Sequence, residues 1–352
     1  MTLPDLPGVL SASQVADTAA AVAALQLPSG QIPWVEGGHA DPWNHTEAAM
    51  ALLVGGRRTE AERAFAWLQR VQHPDGSWCN YYVGDAVEDP RLDTNVVAYV
   101  AVGVWHHWLA TGDRGFAEEL WPTVERAMEF VLRLQRPTGE LLWCIEPDGS
   151  PGRFALLAGS SSAFLSLRCA IALAEVLGHE RPGWEVAALA LGNAVAWGEE
   201  CFEPKARWAM DWYYPVLCGA LAGERGLARI DERWAEFVMT GLGSRCVADR
   251  PWVTAAETAE LVLTLDVLGQ RDLARQVLTW SQYLRLPDGT YWTGMVHPQE
   301  HTFPQQERSS YTAAAQVLAA DALGGFTRAG GLFRGEGLPD LSMASPAPEL
   351  ER

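Results

Sequence analysis

The sequence predicts an all-α protein whose helices form an (α/α)6 toroid, a closed ring of six inner helices surrounded by six outer helices. Two observations predict this fold. Polar-faced helical segments alternate six times with helical segments that are apolar nearly all round, and four of the junctions share a Pro-x-Gly pattern. Because an open stack of helix pairs would leave a buried helix uncovered at each end, closure into a ring is favoured.

The polar-faced segments are predicted to form the outer layer. In "TEAERAFAWLQRVQ" (59–72), apolar residues recur at spacings of three and four with charged residues between them. This spacing is typical of a helix with one buried face. The predicted outer helices cover residues 12–26, 57–72, 115–135, 184–199, 226–240 and 271–285.

The segments that alternate with them are rich in Ala, Ser, Val and Leu and carry few charges, so they are predicted to be buried inner helices. Their small side chains would let neighbouring helices approach closely. These segments read "HTEAAMALLVGG", "TNVVAYVAVGVWHHWL", "SSSAFLSLRCAIALAEVLG", "YYPVLCGALAG", "TAAETAELVLTLDVLG" and "SSYTAAAQVLAADALGG".

The junctions that follow the outer helices are predicted to be tight turns, because Pro and Gly stop a helix and reverse the chain. Two further junctions, near 201–208 and 242–252, are degenerate. Strand content is expected to be low, mainly short hairpins at the junctions. The four clear examples are "LQLPSGQIPW" (25–34), "VQHPDGSWCN" (71–80), "LQRPTGELLW" (134–143) and "LRLPDGTYWT" (284–293).

Residues 1–325 are predicted to form one toroid domain, and the Gly- and Pro-rich residues 326–352 a surface-wrapping or disordered tail. The formal net charge of −18 disfavours nucleic acid and anionic membranes as partners. Neither a signal peptide nor a long apolar run is evident, and the six cysteines form no Cys-x-x-Cys pair. We therefore expect a cytoplasmic protein without metal or cofactor, and the oligomeric state stays open.

The loops that precede the inner helices are expected to converge on one concave mouth, since all inner helices of the ring start at the same end. These loops combine carboxylates with aromatic and amide side chains. That combination suits a carbohydrate, because aromatic faces cover sugar rings while carboxylates and amides hold hydroxyl groups. The candidate substrate-binding residues are Trp43, Asn44, His45, Asp93, Asn95, Asp211, Trp212, Tyr213, Trp252, Glu307 and Tyr311.

Two opposed carboxylates in this mouth would supply the chemistry of glycoside hydrolysis: one protonates the leaving oxygen, and the other activates water or attacks the anomeric carbon. Glu257 or Glu260 is the candidate acid, because desolvation at an apolar helix start raises a carboxyl pKa. Asp41 is the candidate ionised base. Structural roles are the alternatives: Asp41, Asp93 and Asp211 as helix N-caps, and the two glutamates as members of buried pairs.

The Pro-x-Gly-x-x-Trp junctions and the alternating helices resemble the squalene-cyclase and prenyltransferase α/α-toroid superfamily over about residues 12–325. This resemblance implies the fold but is weak for function. Class II cyclases use an Asp-x-Asp-Asp type of acid, of which "RLDTN" (91–95) supplies only Asp93. The Asp, Cys and His of a prenyltransferase zinc site cannot be assembled either.

The segments "DPWNHTEAAMAL", "LDTNVVAYVAVG", "FALLAGSSSAFLSL" and "ETAELVLTLDVLG" are more similar to a group of actinobacterial proteins that includes the methylmannose polysaccharide hydrolases. This resemblance implies an inverting endo-mannosidase that cleaves α-1,4 bonds of a partly O-methylated mannan. It places the acidic residues at the first and fifth inner-helix starts, here Asp41 and Glu257. An Asp that the group carries three residues after the first acid is Asn44 in this sequence, and an amide cannot act as a base.

Other functions stay open on the sequence alone. A terpenoid- or prenyl-processing enzyme would use the same ring, but the mouth arginines are dispersed and each lies near a carboxylate rather than in a phosphate cradle. A carbohydrate-binding protein without turnover is a second alternative, and a sugar epimerase or lyase is a third. The arginines concerned are Arg91, Arg153, Arg207 and Arg250.

Overall fold

The computed structural model describes residues 3–341, and within that range it has two concentric layers of helices. The outer helices are α1 (Ala12–Leu25), α3 (Arg58–Val71), α6 (Arg114–Leu132), α8 (Pro182–Trp197), α10 (Gly223–Phe237) and α12 (Arg271–Ser281). The inner helices are α2 (Pro42–Val54), α4 (Thr94–Ala98) with its continuation α5 (Val100–Thr111), α7 (Leu157–Leu177), α9 (Ala209–Leu217), α11 (Ala255–Val267) and α13 (Ser310–Gly324).

The inner helices form a closed ring, as predicted. Each packs against the next along the chain, and α13 returns to pack against α2. Burial separates the two layers: every residue of α2 except Asn44 is buried, whereas outer helix α3 buries only one face, through residues such as Phe65 and Trp67. The predicted (α/α)6 architecture is therefore confirmed.

Short antiparallel strands lie in the connections at the mouth of the ring. Strands β1 (Tyr81–Val83) and β2 (Ala86–Asp89) form a hairpin, and β3 (Leu92–Asp93) pairs with β4 (Cys144–Ile145). Further along the chain, β5 (Val238–Met239) pairs with β6 (Gly243–Ser244). The one three-stranded sheet of the described residues has the order β7 (Trp252–Thr254), β8 (Gly294–Val296), β9 (His301–Thr302).

The four Pro-x-Gly turns fasten neighbouring outer helices to one another. Their glycines have φ between +86° and +106°, and a Cβ added to any of them would lie 2.1–2.5 Å from a backbone atom of the adjacent outer helix. Only glycine allows both the left-handed backbone and this close approach. The glycines are Gly30, Gly76, Gly139 and Gly289, which face α3, α6, α8 and α1 respectively.

A side chain two residues before each proline strengthens the fastening. In the first turn, the Gln26 side-chain amide donates to the carbonyl of Gly30 at 3.0 Å and to that of Glu60, on α3, at 2.9 Å. Gln72 and Gln135 do the same in the next two turns. In the fourth turn Arg285 donates to the carbonyl of Gln14 at 3.1 Å, which joins the last outer helix to the first.

Residues 326–341 pack against the end of the ring opposite the mouth. They include a 3-10 helix (Arg328–Gly331), the buried side chain of Leu332, and Arg334, which pairs with Asp266 at the end of α11. The predicted tail continues to residue 352, and its last part, 342–352, lies outside the described residues. Helix α7 has the length and hydropathy of a membrane span, but 83% of its most apolar window is buried inside the protein.

Candidate active site

Asp41 caps the N-terminus of α2 at the mouth. One carboxylate oxygen accepts a hydrogen bond from the Asn44 backbone N–H at 2.8 Å, and the other accepts one from the Asn44 side-chain amide. The side chain is 3% exposed, and burial raises the pKa of Asp41 although the Asn44 bonds oppose this. Asp41 is therefore the N-cap of α2, as the structural alternative predicted, and also a buried carboxyl whose pKa is raised.

Glu257 lies in the first turn of α11 and faces a cavity of about 420 Å³, the Glu257 cavity. The side chain is half-buried, in contrast to Glu260 one turn later. Five aromatic side chains and one further carboxylate contribute to the wall. The wall residues used below are Trp34, His39, Tyr81, Trp252, Glu307 and Tyr311.

A second cavity of about 170 Å³, the Asp93 cavity, opens between the starts of α4, α7 and α9. Asp93 caps α4 by accepting the N–H groups of Asn95 and Val96 at 2.9 and 3.2 Å, and it also accepts the indole N–H of Trp143. Burial raises the pKa of Asp93 to about 6. The Asn95 side chain lines this cavity, and its buried carbonyl oxygen has no hydrogen-bond partner within the described residues.

Asp41 lines neither cavity, but its charge acts on one residue of each. Its charge contributes to the pKa of Tyr81, which lines the Glu257 cavity, and to that of Asp93, which lines the other. In both cases burial is the larger cause and the Asp41 charge raises the pKa further. Because such an effect requires proximity, Asp41 lies within electrostatic reach of both halves of the mouth.

Below the mouth, Glu260 is held by tyrosines from two other inner helices. One of its oxygens accepts the hydroxyl of Tyr213, and the other accepts those of Tyr214 and Tyr311 at 2.7 and 2.8 Å. Burial raises the pKa of Glu260 to about 7. Tyr214 lines the Asp93 cavity and Tyr311 the Glu257 cavity, so Glu260 links the floors of both.

Aromatic rings connect this floor to the walls. Trp43 stacks on Tyr99 with ring centroids 4.4 Å apart, and the Tyr99 hydroxyl donates to Glu47 at 2.9 Å. On the opposite side, Trp34 lies 5.6 Å from the ring of Tyr311. Trp43 and Tyr99 are buried and support the mouth from below, whereas Trp34 and Tyr311 line the Glu257 cavity.

Glu307 belongs to the wall of the Glu257 cavity, as its position before α13 predicts. It accepts the indole N–H of Trp34 at 3.3 Å and the hydroxyl of Thr293 at 3.0 Å. Trp252 lies on the same wall, in β7, and its indole N–H donates to the carbonyl of Phe303 at 2.9 Å.

The structure contradicts direct substrate contact for His45 and Trp212. The ring of His45 is 1% exposed; one nitrogen accepts the N–H of Ile32 at 3.0 Å and the other lies 2.9 Å from the carbonyl of Ala64. Trp212 is fully buried, and its indole N–H donates to the carbonyl of Arg229. Both side chains point from an inner helix toward the outer layer, where they stabilise the packing.

Three further predicted site residues need the same correction. Tyr213 is fully buried against Glu260, and Glu260 is 2% exposed with both oxygens bonded to tyrosines, so neither has a free polar atom at the mouth. Asp211 is also buried, and it accepts the N–H of Ala158 at 3.2 Å. It thus caps α7 from the neighbouring helix α9. The N-cap residue of α7 itself, Leu156, makes no side-chain hydrogen bond.

Sequence reasoning missed several mouth residues. Trp34 and Trp143 are the aromatic residues that end two of the Pro-x-Gly junctions, so the repeat itself carried the signal. Glu47, one turn after Asn44 on α2, is a buried carboxyl beneath the mouth that lines neither cavity. Tyr81 lies in a hairpin that no helical pattern predicted.

Two of the four mouth arginines are paired with carboxylates and so offer no free charge to a phosphate cradle. Arg91 pairs with Asp89 at 3.3 Å and with Glu146 at 3.2 Å, while Arg207 pairs with Asp249 at 2.7 Å. Their charge is thus neutralised locally by carboxylates. This pairing favours a neutral ligand over a diphosphate.

Comparison with known proteins gives one strong sequence relative. The chain is 51% identical over 337 residues to MMP endo-(1,4)-3-O-methyl-alpha-D-mannosidase of Mycolicibacterium hassiacum, covering 96% of this chain and 93% of that protein. No family model matches the sequence.

Solved structures of glycoside hydrolases share the fold at low sequence identity. A GH63 mannosylglycerate hydrolase from Thermus thermophilus superposes with a TM-score of 0.68 at 14% identity, covering 86% of this chain and 99% of that one. A glycosidase in complex with glucose gives a TM-score of 0.70 at 14% identity, covering 89% of this chain and 98% of that one. At such identities the likeness concerns the fold alone.

Proposed function

The chain belongs to the family of the MMP endo-(1,4)-3-O-methyl-α-D-mannosidases, and from this premise we propose that it hydrolyses internal α-1,4 bonds of a methylmannose polysaccharide. The observation that carries the proposal is the pair of carboxylates, Asp41 and Glu257, that begin two inner helices at one aromatic-lined mouth. Two carboxyl groups flanking a sugar linkage are the minimum that glycoside hydrolysis requires.

Asp41 acts as the general acid in this proposal. An acid must hold its proton at the working pH, and burial raises the pKa of Asp41 in that direction. This exchanges the roles expected from sequence, where Asp41 was the ionised base. Glu257 then acts as the general base, since it is half-buried and lines a cavity large enough to admit a sugar and water.

Inversion at the anomeric carbon follows from the proposed pair. Helices α2 and α11 are separated by α13, which packs against both. Neighbouring helix axes lie about 8–10 Å apart, and we expect carboxylates on non-adjacent helices to lie farther apart than the roughly 5–5.5 Å of a retaining pair. Inverting enzymes need room for a water, with roughly 6.5–9.5 Å between the two carboxyl groups.

Glu260 has a positioning role in this scheme. Its three tyrosine hydrogen bonds fix the rings of Tyr214 and Tyr311, one under each cavity. A sugar chain that crosses the mouth would rest on both rings. The apolar faces of Trp34 and Trp252 would meet sugar rings and O-methyl groups, and Glu307 would meet hydroxyl groups.

Incubation with O-methylated and plain α-1,4-mannooligosaccharides tests the function. Mass spectrometry is expected to show shortened chains from the methylated substrate, and NMR of the first products a β-configured reducing end, as inversion requires. Turnover of a prenyl diphosphate with no glycan cleaved would favour the terpenoid alternative. Affinity for the oligosaccharides with no product after long incubation would instead indicate a binding protein.

Removing the side chain of Asn44 is expected to move the alkaline limb of the pH profile of kcat/KM to higher pH. The Asn44 amide donates to the Asp41 carboxylate and so lowers the pKa of Asp41. In Asn44→Ala that bond is lost, the pKa of Asp41 rises further, and a general acid stays protonated to higher pH. A limb that moves to lower pH, or does not move, contradicts Asp41 as the acid.

The cellular compartment is part of the proposal. All six cysteines are free, and five of them are buried, which suits a reducing compartment. We therefore place the enzyme in the cytoplasm, where fractionation of the producing cells should recover it.

A further inference from the structure

Exposed apolar side chains are concentrated around the mouth of the ring. In the described part of the chain, seven large hydrophobic residues are exposed, and only Val186, at the start of α8, lies near the opposite end. The other six occupy the ends of outer helices or the connections that lead into inner helices. They are Val83, Val87, Trp197, Trp208, Tyr283 and Phe303.

One of these residues, Phe303, contacts the wall of the Glu257 cavity, and a second, Trp208, lies in the connection that leads into α9. Phe303 is 50% exposed, and its ring meets that of Trp252 edge-on with centroids 5.0 Å apart. Trp208, at the N-cap of α9, is 42% exposed. Trp252 lies on the cavity wall between them in ring order, since α11 follows α9 and precedes α13.

A continuous hydrogen-bonded layer carries these three aromatic residues. Trp208 forms a β-bridge with Val247. Cys246, the residue before Val247, donates its N–H to the carbonyl of Trp252 at 3.1 Å. Strand β7 continues into β8 and β9, and Phe303 follows β9 with its N–H bonded to the carbonyl of Gly294 at 3.0 Å. The backbone therefore holds the aromatic side chains at fixed positions along the rim.

We propose that Trp208 and Phe303 form outer subsites that hold the polysaccharide on either side of the Glu257 cavity. This inference rests on the proposed function. A neutral, partly O-methylated sugar chain presents apolar faces, which suit exposed aromatic rings. An endo-acting enzyme cleaves within a chain, so the sugars beyond the two that flank the scissile bond must extend outside the catalytic cavity. The rim layer is continuous with that cavity through Trp252.

The proposal is tested with Trp208→Ala and Phe303→Ala on two substrates, the methylated polymer and a methylated tetrasaccharide, which occupies fewer subsites than the polymer. The ratio of kcat/KM on the polymer to kcat/KM on the tetrasaccharide is expected to fall about three- to tenfold in each variant. The change should be in KM for the polymer, because a remote subsite binds ground state and transition state alike.

Trp197→Ala is the matched control. Trp197 is also exposed, at 38%, but it lies at the end of outer helix α8 beneath the Arg225 guanidinium and off the hydrogen-bonded layer. Its substitution should leave the ratio at the wild-type value. Trp208→Phe and Phe303→Trp should retain most of the wild-type ratio, because each keeps an aromatic face.

The outcomes separate this inference from the proposed function. If the wild-type enzyme cleaves both substrates and the two alanine variants keep the wild-type ratio, the outer subsites are overturned and the function stands. An equal fall in Trp197→Ala would overturn them as well. If the wild-type enzyme cleaves neither substrate, the proposed function fails, and the outer subsites fail with it.

Discussion

Replacing Glu257 by Gln is expected to lower kcat by about 10²- to 10⁴-fold, the usual contribution of a general acid or base. The amide keeps the size of the side chain but cannot accept a proton from water. Asp41→Asn should cause a comparable loss on the polysaccharide while keeping α2 intact, because Asn caps a helix about as well as Asp. Steady-state hydrolysis and circular dichroism would measure activity and fold.

Glu224→Gln is the control for the loss at Glu257. Glu224 lies in the first turn of α10, as Glu257 does in α11, but on an exposed outer helix. Its substitution removes a first-turn carboxylate without touching the mouth, so activity should stay near wild type. Undiminished hydrolysis in both Asp41→Asn and Glu257→Gln, with the fold retained, would exclude this carboxylate pair.

A substrate with a better leaving group separates the two roles. A glycosyl fluoride needs little protonation of the departing group, so Asp41→Asn should keep much of its activity on an O-methylated mannosyl fluoride. Glu257→Gln should stay inactive on it, because water still needs a base. The opposite pattern would assign the role of general acid to Glu257, as the sequence first indicated.

Replacing Gly289 by Ala is expected to lower the free energy of unfolding by more than about 3 kcal/mol. Gly289 has a φ of +86°, and a Cβ there would lie 2.5 Å from the backbone carbon of Asp17 on α1. The substitution therefore strains the turn and also pushes apart the helices at which the ring closes. Urea unfolding followed by tryptophan fluorescence would measure the change.

Gly149→Ala isolates the cost of the turn itself. Gly149 is the glycine of another Pro-Asp-Gly turn. It has a φ of +84°, and a Cβ added there would meet open space. Its substitution should cost only the strain of the left-handed backbone, about 1–2 kcal/mol. Equal losses in Gly149→Ala and Gly289→Ala would show that the contact with α1 does not hold the ring closed.

The sequence predicted which residues lie at the mouth end of the ring, but it predicted less well which way their side chains point. Asn44, Trp252 and Tyr311 lie at the mouth because residues at an inner-helix start must lie at that end. His45 and Trp212 also lie near inner-helix starts. Each side chain is rotated by about 100° around the helix axis from that of its neighbour in the chain, and both point to the outer layer. Loop and helix-start composition cannot distinguish these directions until the packing partners are known.

The sequence by itself determined the ring. Alternating polar-faced and apolar helices can bury their apolar surfaces only in two layers. The glycines of the repeated turns allow neighbouring outer helices to be fastened together. Only the tertiary structure decided which groups surround each acidic side chain and which acidic side chains have both carboxylate oxygens hydrogen-bonded. Asp41, Glu257 and Glu260 all lie at or near inner-helix starts, but a carboxyl pKa depends on the dielectric and the hydrogen-bond donors around it. In a closed ring those surroundings come from helices distant in the chain.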